Sequence, residues 1–524
     1  MRKELNISKY NFAQIIKNNI MYVDKTEYIY EMVKNISGQY FLSRPRRFGK
    51  SMLLSTLKSY FEGNKEVFKG QYLYDKDVAW ESYPIIHLSM NTMGSRTVGE
   101  YEENLCIRLK EIAADYNIAI NNRFSYQILK ELILGLSKEK EVVILIDEYD
   151  KPILDNVDNM VECQKIRKIL KSFYGQIKAY EEKLRFTFIT GVSKFSQVSM
   201  FSDMNNLEDI TMLPAFAGIC GFTQEECEYY FSEWIAENAE TLNMDKPAYL
   251  AKLKEYYDGI RFSKKELYLY NPVSFTKAMK DCSFDNYWFE TGSPSFLLNL
   301  IKKDLAKEEL HELESLEELE SLEVSSSVFS VYEIDNLSII ALLYQTGYLT
   351  IKGYDIEEDL YTLGYPNREV RKSFLEKIAF KLTQTAESQV SLIFSKIYKS
   401  LLSNKVEDFI KALKTYYACI DYDIKNKNEQ CYQLIFYLVF MNLNFRVKAE
   451  VKTNNARMDA VVETPDYIYI IEFKVNQSAQ VAIDQIKDRE YYQRYLLDGK
   501  QLVLVGVNFD TKAGQIDDWL EEQR

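Results

Sequence analysis

From Val142 to Ile146 the chain places five apolar residues in succession, four of them β-branched, and then turns acidic at Asp147, Glu148 and Asp150. A strand apolar on both faces needs cover on both, which a parallel sheet flanked by helices gives and a sheet open to water on one side does not. Similar short runs stand at Gln39–Ser43, Pro84–Met90 and Arg185–Thr190. The stretches between them are long enough for crossover helices such as Lys50–Phe61 and Val161–Ala179. An α/β architecture with a parallel sheet is therefore expected over residues 1–215.

The first of these strands leads into FLSRPRRFGKSMLL at Phe41–Leu54, a basic loop followed by a helix. Gly49, Lys50 and Ser51 match the end of the P-loop pattern. There, backbone N–H groups at a helix start receive phosphates, the lysine offsets their charge and the hydroxyl binds Mg2+. Five positions before Gly49, where that pattern has its first glycine, stands Arg44. The acidic end of VVILIDEYD supplies the missing half: Asp147 to hold Mg2+ and Glu148 to polarise a water. Arg46 and Arg47 either contact phosphate or face solvent. Thr190, Ser193 and Lys194, after the fourth strand, are weaker candidates for the outer phosphate.

Composition narrows the chemistry further. Among 524 residues only His87 and His311 are histidines, so multi-histidine metal sites and histidine-based triads are nearly unavailable and the chemistry is expected from Asp, Glu, Lys, Arg, Ser and Thr. Seven scattered cysteines without a CxxC pair read as reduced thiols in a cytoplasmic protein. No apolar stretch is long enough to span a membrane.

Thr223 followed by Glu226 reads as a capping box opening a helical region at 216–300, a candidate lid. Next, ELESLE at 312–317 recurs at 318–323. Its leucines, three apart, drift around a helix and miss a heptad seam, so a solvated acidic helix or linker over 301–330 is expected. That segment holds nine acids and three lysines, a net of −6 out of the chain's −13. Residues 331–424 read as a mixed, then helical, middle region.

The final hundred residues, 425–524, follow an αβββαβ order: helix Glu429–Leu443, strands Phe445–Lys452, Arg457–Val462 and Tyr467–Val475, helix Ser478–Tyr495 and strand Gln501–Val507. Along Tyr467–Val475 the period of two puts Glu472 and Lys474 on one face of an otherwise apolar strand. If this strand and Arg457–Val462 form a hairpin centred between Pro465 and Asp466, Asp459 lies directly across from Glu472. Two facing carboxylates repel unless a cation sits between them. A hard ion such as Mg2+ suits these oxygens, with Lys474 beside it to orient or deprotonate a water. Glu429 and Glu450 are further acids, and Gln485 on the next helix could steady the lysine or the water. The plainer alternative is a surface ion pair of Lys474 with the two acids.

Asp459 with Glu472–Phe473–Lys474, inside αβββαβ, resembles the PD-(D/E)XK nuclease superfamily, with Met458 where the name has proline. RPRRFGKS and LIDEYDKP, followed by YDGIRF (257–262), YNPVSF (270–275), TGYLTI (346–351) and PNREVR (366–371), resemble the predicted AAA-ATPase-like proteins that carry such a restriction-endonuclease-like domain at their carboxyl end. The resemblance implies ATP and Mg2+ as cofactors, Lys50, Ser51, Asp147 and Glu148 at the nucleotide, and Asp459, Glu472 and Lys474 at a nuclease site, followed by Glu429 and Gln485. It also implies a nucleic-acid partner and admits a homo-oligomer. Three activities stay open: an ATP-switched nuclease, a regulatory or scaffold ATPase whose nuclease-like domain binds without cutting, and a nuclease whose nucleotide site has decayed at Arg44.

Overall fold

The computed structural model describes residues 2–524 except 8, 36–37, 94–96, 157–158, 195–200, 202–203, 205, 289–294, 306–317, 330–337, 421–428, 444–447, 455–456, 490–491 and 497–498. The chain divides into two compact units, Met1–Phe296 with Ser321–Val370, and Leu297–Glu320 with Arg371–Arg524.

In the first unit, β1 (Gly38–Ser43), β2 (Ile85–Ser89), β3 (Val142–Asp147), β4 (Leu184–Gly191) and the short β5 (Glu208–Asp209) form a wholly parallel sheet ordered β2-β3-β4-β1-β5. Alternate residues feed two separate cores. Phe41, Ile86, Leu88, Ile144 and Ile146 pack under the helices Val98–Asp115, Ser125–Leu136 and Met160–Ala179. On the other face, Tyr40, Leu42, Val143, Leu145 and Phe188 pack against the helix Lys50–Phe61 and the amino-terminal Phe12 and Ile15. This is the double cover that the apolar run at 142–146 demands. β3 and β1 are both neighbours of β4, so the loop after β1 and the acids after β3 emerge at the same carboxyl edge.

Gly191, at the end of β4, shows how tightly that edge is packed: a Cβ there would come within 2.6 Å of Asp150 Oδ1 and closer still to Tyr149. Asp150, fully buried, accepts bonds from the backbone N–H groups of Val192 and Ser193 and from the Ser193 hydroxyl, tying the end of β3 to that of β4. The expected capping box is present, with Thr223 and Glu226 bonding each other's backbone at the start of the helix Gln224–Tyr230. A three-stranded antiparallel sheet, β6 (Leu322–Ser325), β7 (Thr350–Asp355) and β8 (Leu360–Gly364), also belongs to this unit. β6 is a departure from the solvated helix expected at 301–330. Val324, which breaks the leucine–glutamate repeat, is buried opposite Tyr361.

The second unit carries a mixed sheet ordered β13-β12-β11-β10-β9, built from β9 (Lys448–Asn454), β10 (Arg457–Glu463), β11 (Tyr467–Val475), β12 (Gln501–Asp510) and β13 (Gln515–Gln523). Only the β11–β12 pair is parallel, and the helix Ala479–Asp488 makes its crossover. That helix buries Ile483 and Ile486 against Ile468, Ile470, Leu502 and Leu504. It can approach because Gly506 lies beneath it: a Cβ there would come within 2.4 Å of the Ala479 carbonyl. On the opposite face Phe436, from the helix Glu429–Leu443, packs on Phe473 with ring centroids 4.0 Å apart. The observed order is αβββαββ. The acidic hairpin partner β13 was not expected, and the expected helix Ser478–Tyr495 is interrupted after Asp488 before a short 3-10 turn at Gln493–Tyr495.

Candidate functional site

At the carboxyl edge of the parallel sheet the loop after β1 enters the Lys50–Phe61 helix through left-handed residues, Arg47 at φ 65° and Gly49 at φ 98°. Positive φ turns successive N–H groups toward the same side, and the helix start adds its own unpaired donors. The Ser51 hydroxyl donates to Asp147 Oδ2 at 2.6 Å, joining the glycine–lysine–serine turn to the acid at the end of β3. Lys50, 6% exposed, donates to the carbonyls of Arg44 and Pro45 at 2.9 and 3.0 Å. Burial pushes its ammonium below the usual lysine range, against the pull of Asp147 and Glu148.

Asp147 Oδ1 and Glu148 Oε2 are buried and have no hydrogen-bond partner. Burial raises both carboxyls above their ordinary values, and Asp147 raises Glu148 further. Glu148 also sits at φ 54°, a conformation costly for a residue with a Cβ. An orphaned carboxylate oxygen beside a bonded serine hydroxyl is an oxygen donor set that fits Mg2+. These groups line a cavity of about 680 Å3, well within the range of ligand pockets.

Arg46, Arg47, Gly49, Lys50, Ser51, Asp147 and Glu148 all line this cavity, so the structure brings these seven candidates of the first site together. Arg47 is exposed, and its guanidinium bonds the Tyr10 hydroxyl at 2.6 Å. Ile219, Cys220, Gly221, Phe222, Val273 and Thr276, from the segment read as a lid, also line it. Lys25, which lines the cavity and pairs with Glu226 at 2.6 Å, and Tyr10 carry no signal in the sequence, because neither belongs to a periodic pattern.

Three weaker candidates do not reach the cavity. Thr190 donates its hydroxyl to the Leu42 carbonyl, Ser193 is held by Asp150, and Lys194 pairs with Asp209 at 2.7 Å. Each is committed to holding strand ends together. Arg44 is likewise turned away: at 1% exposure it donates to the carbonyls of Ser43, Thr211 and Phe216, and its guanidinium lies 4.0 Å from the centre of the Phe262 ring. It occupies the place of a glycine by pointing behind the loop, leaving the phosphate side clear.

In the second unit β10 and β11 pair antiparallel with Asp459 opposite Glu472, the expected register. Glu472 and Lys474 share the face covered by the Ala479–Asp488 helix and are 1% and 5% exposed. Lys474 donates to Glu472 Oε1 at 2.9 Å and to Gln485 Oε1. The buried position of this pair excludes the surface ion pair considered above. The side chains of Asp459, Glu429 and Glu450 lie outside the described residues. Among the described residues no group of three or more His, Cys, Asp or Glu is placed to hold a metal ion. Glu472, with Asp459 across the ladder, is the donor set on which a metal would depend here. Among the described residues no helix is long and apolar enough to cross a membrane.

Comparison with known proteins matches a family model to each of two stretches of the chain. Residues 6–201 match the family model described as predicted AAA-ATPase, and residues 427–519 match that of the PD-(D/E)XK nuclease superfamily. Over 527 aligned residues, 98% of each chain, the protein is 31% identical to one from Azotobacter chroococcum mcd 1 described as "Uncharacterized protein in vnfD 5'region".

Proposed function

This chain belongs to the predicted AAA-ATPase proteins that end in a PD-(D/E)XK nuclease-superfamily domain, and on that premise we propose that it is a nucleotide-switched ATPase coupled to a Mg2+-dependent nuclease. The observation that carries the nucleotide half is the Ser51–Asp147 bond beside the unpartnered oxygens of Asp147 and Glu148. In this reading Lys50 leaves the carbonyls of Arg44 and Pro45 for the outer phosphates, while Arg46 and Arg47 stand at the cavity wall to meet the remaining charge. Ser51 and Asp147 hold the ion, and Glu148 orients the attacking water. Residues 216–300 close over the nucleotide.

At the second site Asp459 and Glu472 hold the metal, with Glu429 as a further ligand. Lys474, steadied by Gln485, faces the scissile phosphate and its water. Mg2+ supplies charge neutralisation and a polarised water at both places. DNA or RNA is the partner, the location is cytoplasmic, and assembly into a homo-oligomer fits the ATPase class. One observation favours the second reading, a regulatory ATPase whose nuclease-like domain binds without cutting: Glu472 is already neutralised by Lys474.

The test incubates labelled single- and double-stranded DNA and RNA with Mg2+ or Mn2+, with and without ATP. Wild type is compared with Lys50→Ala and Asp459→Ala. Cleavage lost in Asp459→Ala and altered in Lys50→Ala is expected. Metal-dependent cutting absent on every substrate would leave the regulatory reading. Failure to bind ATP at millimolar concentration would end both.

A further inference from the structure

The basic loop presents three successive carbonyls, of Arg44, Pro45 and Arg46. Lys50 takes the first two, and the third accepts the indole N–H of Trp288 at 3.2 Å. Trp288 is 6% exposed and packs on Tyr348 with ring centroids 5.2 Å apart. The turn before Tyr348 braces the loop as well: Gly347, at φ 90°, sits so close that a Cβ would come within 2.8 Å of Pro45 Cγ. The backbone N–H of Trp288 donates in turn to Glu369 Oε1 at 2.7 Å. Glu369 stands in the first turn of the helix Arg368–Lys381 and is 1% exposed. It does not line the cavity, and burial pushes its carboxyl up to about 8. A carboxyl that deep is costly to keep, and neither proposed chemistry uses it.

We propose that Glu369 is a positioning residue for the nucleotide loop: it fixes the Trp288 backbone so that the indole grips the Arg46 carbonyl and the loop's N–H groups stay turned toward the phosphates. The inference rests on the nucleotide reading of the cavity. A loop held in its bound shape before the ligand arrives avoids the ordering cost at binding, so loosening this chain of bonds weakens affinity without removing any group that touches phosphate.

The experiment titrates the full-length protein with ATP and Mg2+, reading the dissociation constant by calorimetry and, separately, tryptophan emission. Glu369→Ala should weaken binding about tenfold, the worth of one hydrogen bond to an ionisable group. Glu369→Gln, whose amide oxygen can accept the same N–H, should return to within about threefold of wild type. Trp288→Phe keeps a ring against Tyr348 and loses only the indole donor. It should bind several-fold more weakly and lose the ATP-dependent emission change. Wild-type affinity in folded Glu369→Ala and Trp288→Phe overturns the proposal, as does Glu369→Gln binding no better than Glu369→Ala. If Glu369→Ala does not fold, Trp288→Phe decides alone. A wild-type protein that binds no ATP overturns the nucleotide reading and this inference with it, a result distinct from wild-type binding left unchanged by the variants.

Discussion

Lys50 and Lys474 are both buried beside carboxylates, at 6% and 5% exposure, yet Lys50 donates to two backbone carbonyls while Lys474 is already bonded to Glu472. At the first site the acids are left for a ligand: Asp147 is bonded to a neutral hydroxyl and keeps one oxygen without a partner. A nucleotide with its cation adds charge there without breaking an ion pair. At the second site a cation that binds Glu472 must displace or share Lys474. Two residue sets of nearly the same composition thus differ in readiness, the first open and the second internally neutralised.

The largest expected effect tests whether the second site nevertheless takes a metal. Asp459→Asn keeps the side chain's size but removes one of the two facing charges, and should lower metal-dependent cleavage by about a thousandfold or more. Retained cleavage in initial-rate assays would mean that the ladder position of Asp459 is incidental. Lys50→Ala should weaken MgATP binding at least about a hundredfold, since a cation among phosphates is removed from a buried site. Equilibrium dialysis with labelled ATP measures it directly.

A stability contrast separates the two lysines more sharply than activity does. Removing one partner of a buried ion pair leaves the other charge unpaired and typically costs about 3–5 kcal/mol. Lys474→Met should therefore destabilise the second unit by that amount, measured by urea unfolding. Lys50→Met gives up two bonds to backbone carbonyls and relieves a buried charge, so the cost should be about 1 kcal/mol or less. Equal losses would erase the distinction between an open and a self-neutralised site.

The apolar run at Val142–Ile146 made the parallel sheet legible because burial on both faces leaves a local mark. So did the Asp459–Glu472 pairing, which follows from the period of two around a short turn. What was hidden depends on partners far along the chain. The direction of Arg44 is set by the carbonyls of Thr211 and Phe216, and the grip on Arg46 by Trp288 and Glu369. Nothing in RPRRFGKS announces them. Thr190 and Ser193 misled for a related reason: a polar residue after a strand bonds whatever backbone is nearest, here Leu42 and the turn held by Asp150. β13 escaped because its sequence, QIDDWLEEQ, is acidic and largely exposed, as suits an edge strand that must not recruit another.

The smallest effect concerns pH and belongs to the first unit. Buried Glu369 holds its proton up to about 8, whereas in the unfolded chain it releases it near 4.5. Its contribution to stability is therefore complete below about 4.5 and is lost as pH rises toward 8. His87 works in the opposite sense: burial lowers its imidazole from 6.5 to about 4, so its contribution is lost only as pH falls below 6.5. Between pH 6.5 and 8 the Glu369 slope stands apart from it. Over that interval the wild-type melting temperature, without nucleotide, should fall about 2–4 °C more than that of Glu369→Gln, which cannot ionise. Parallel curves would mean that the carboxyl is already ionised at neutral pH, and the loop would then be braced by a charge rather than by a neutral acid.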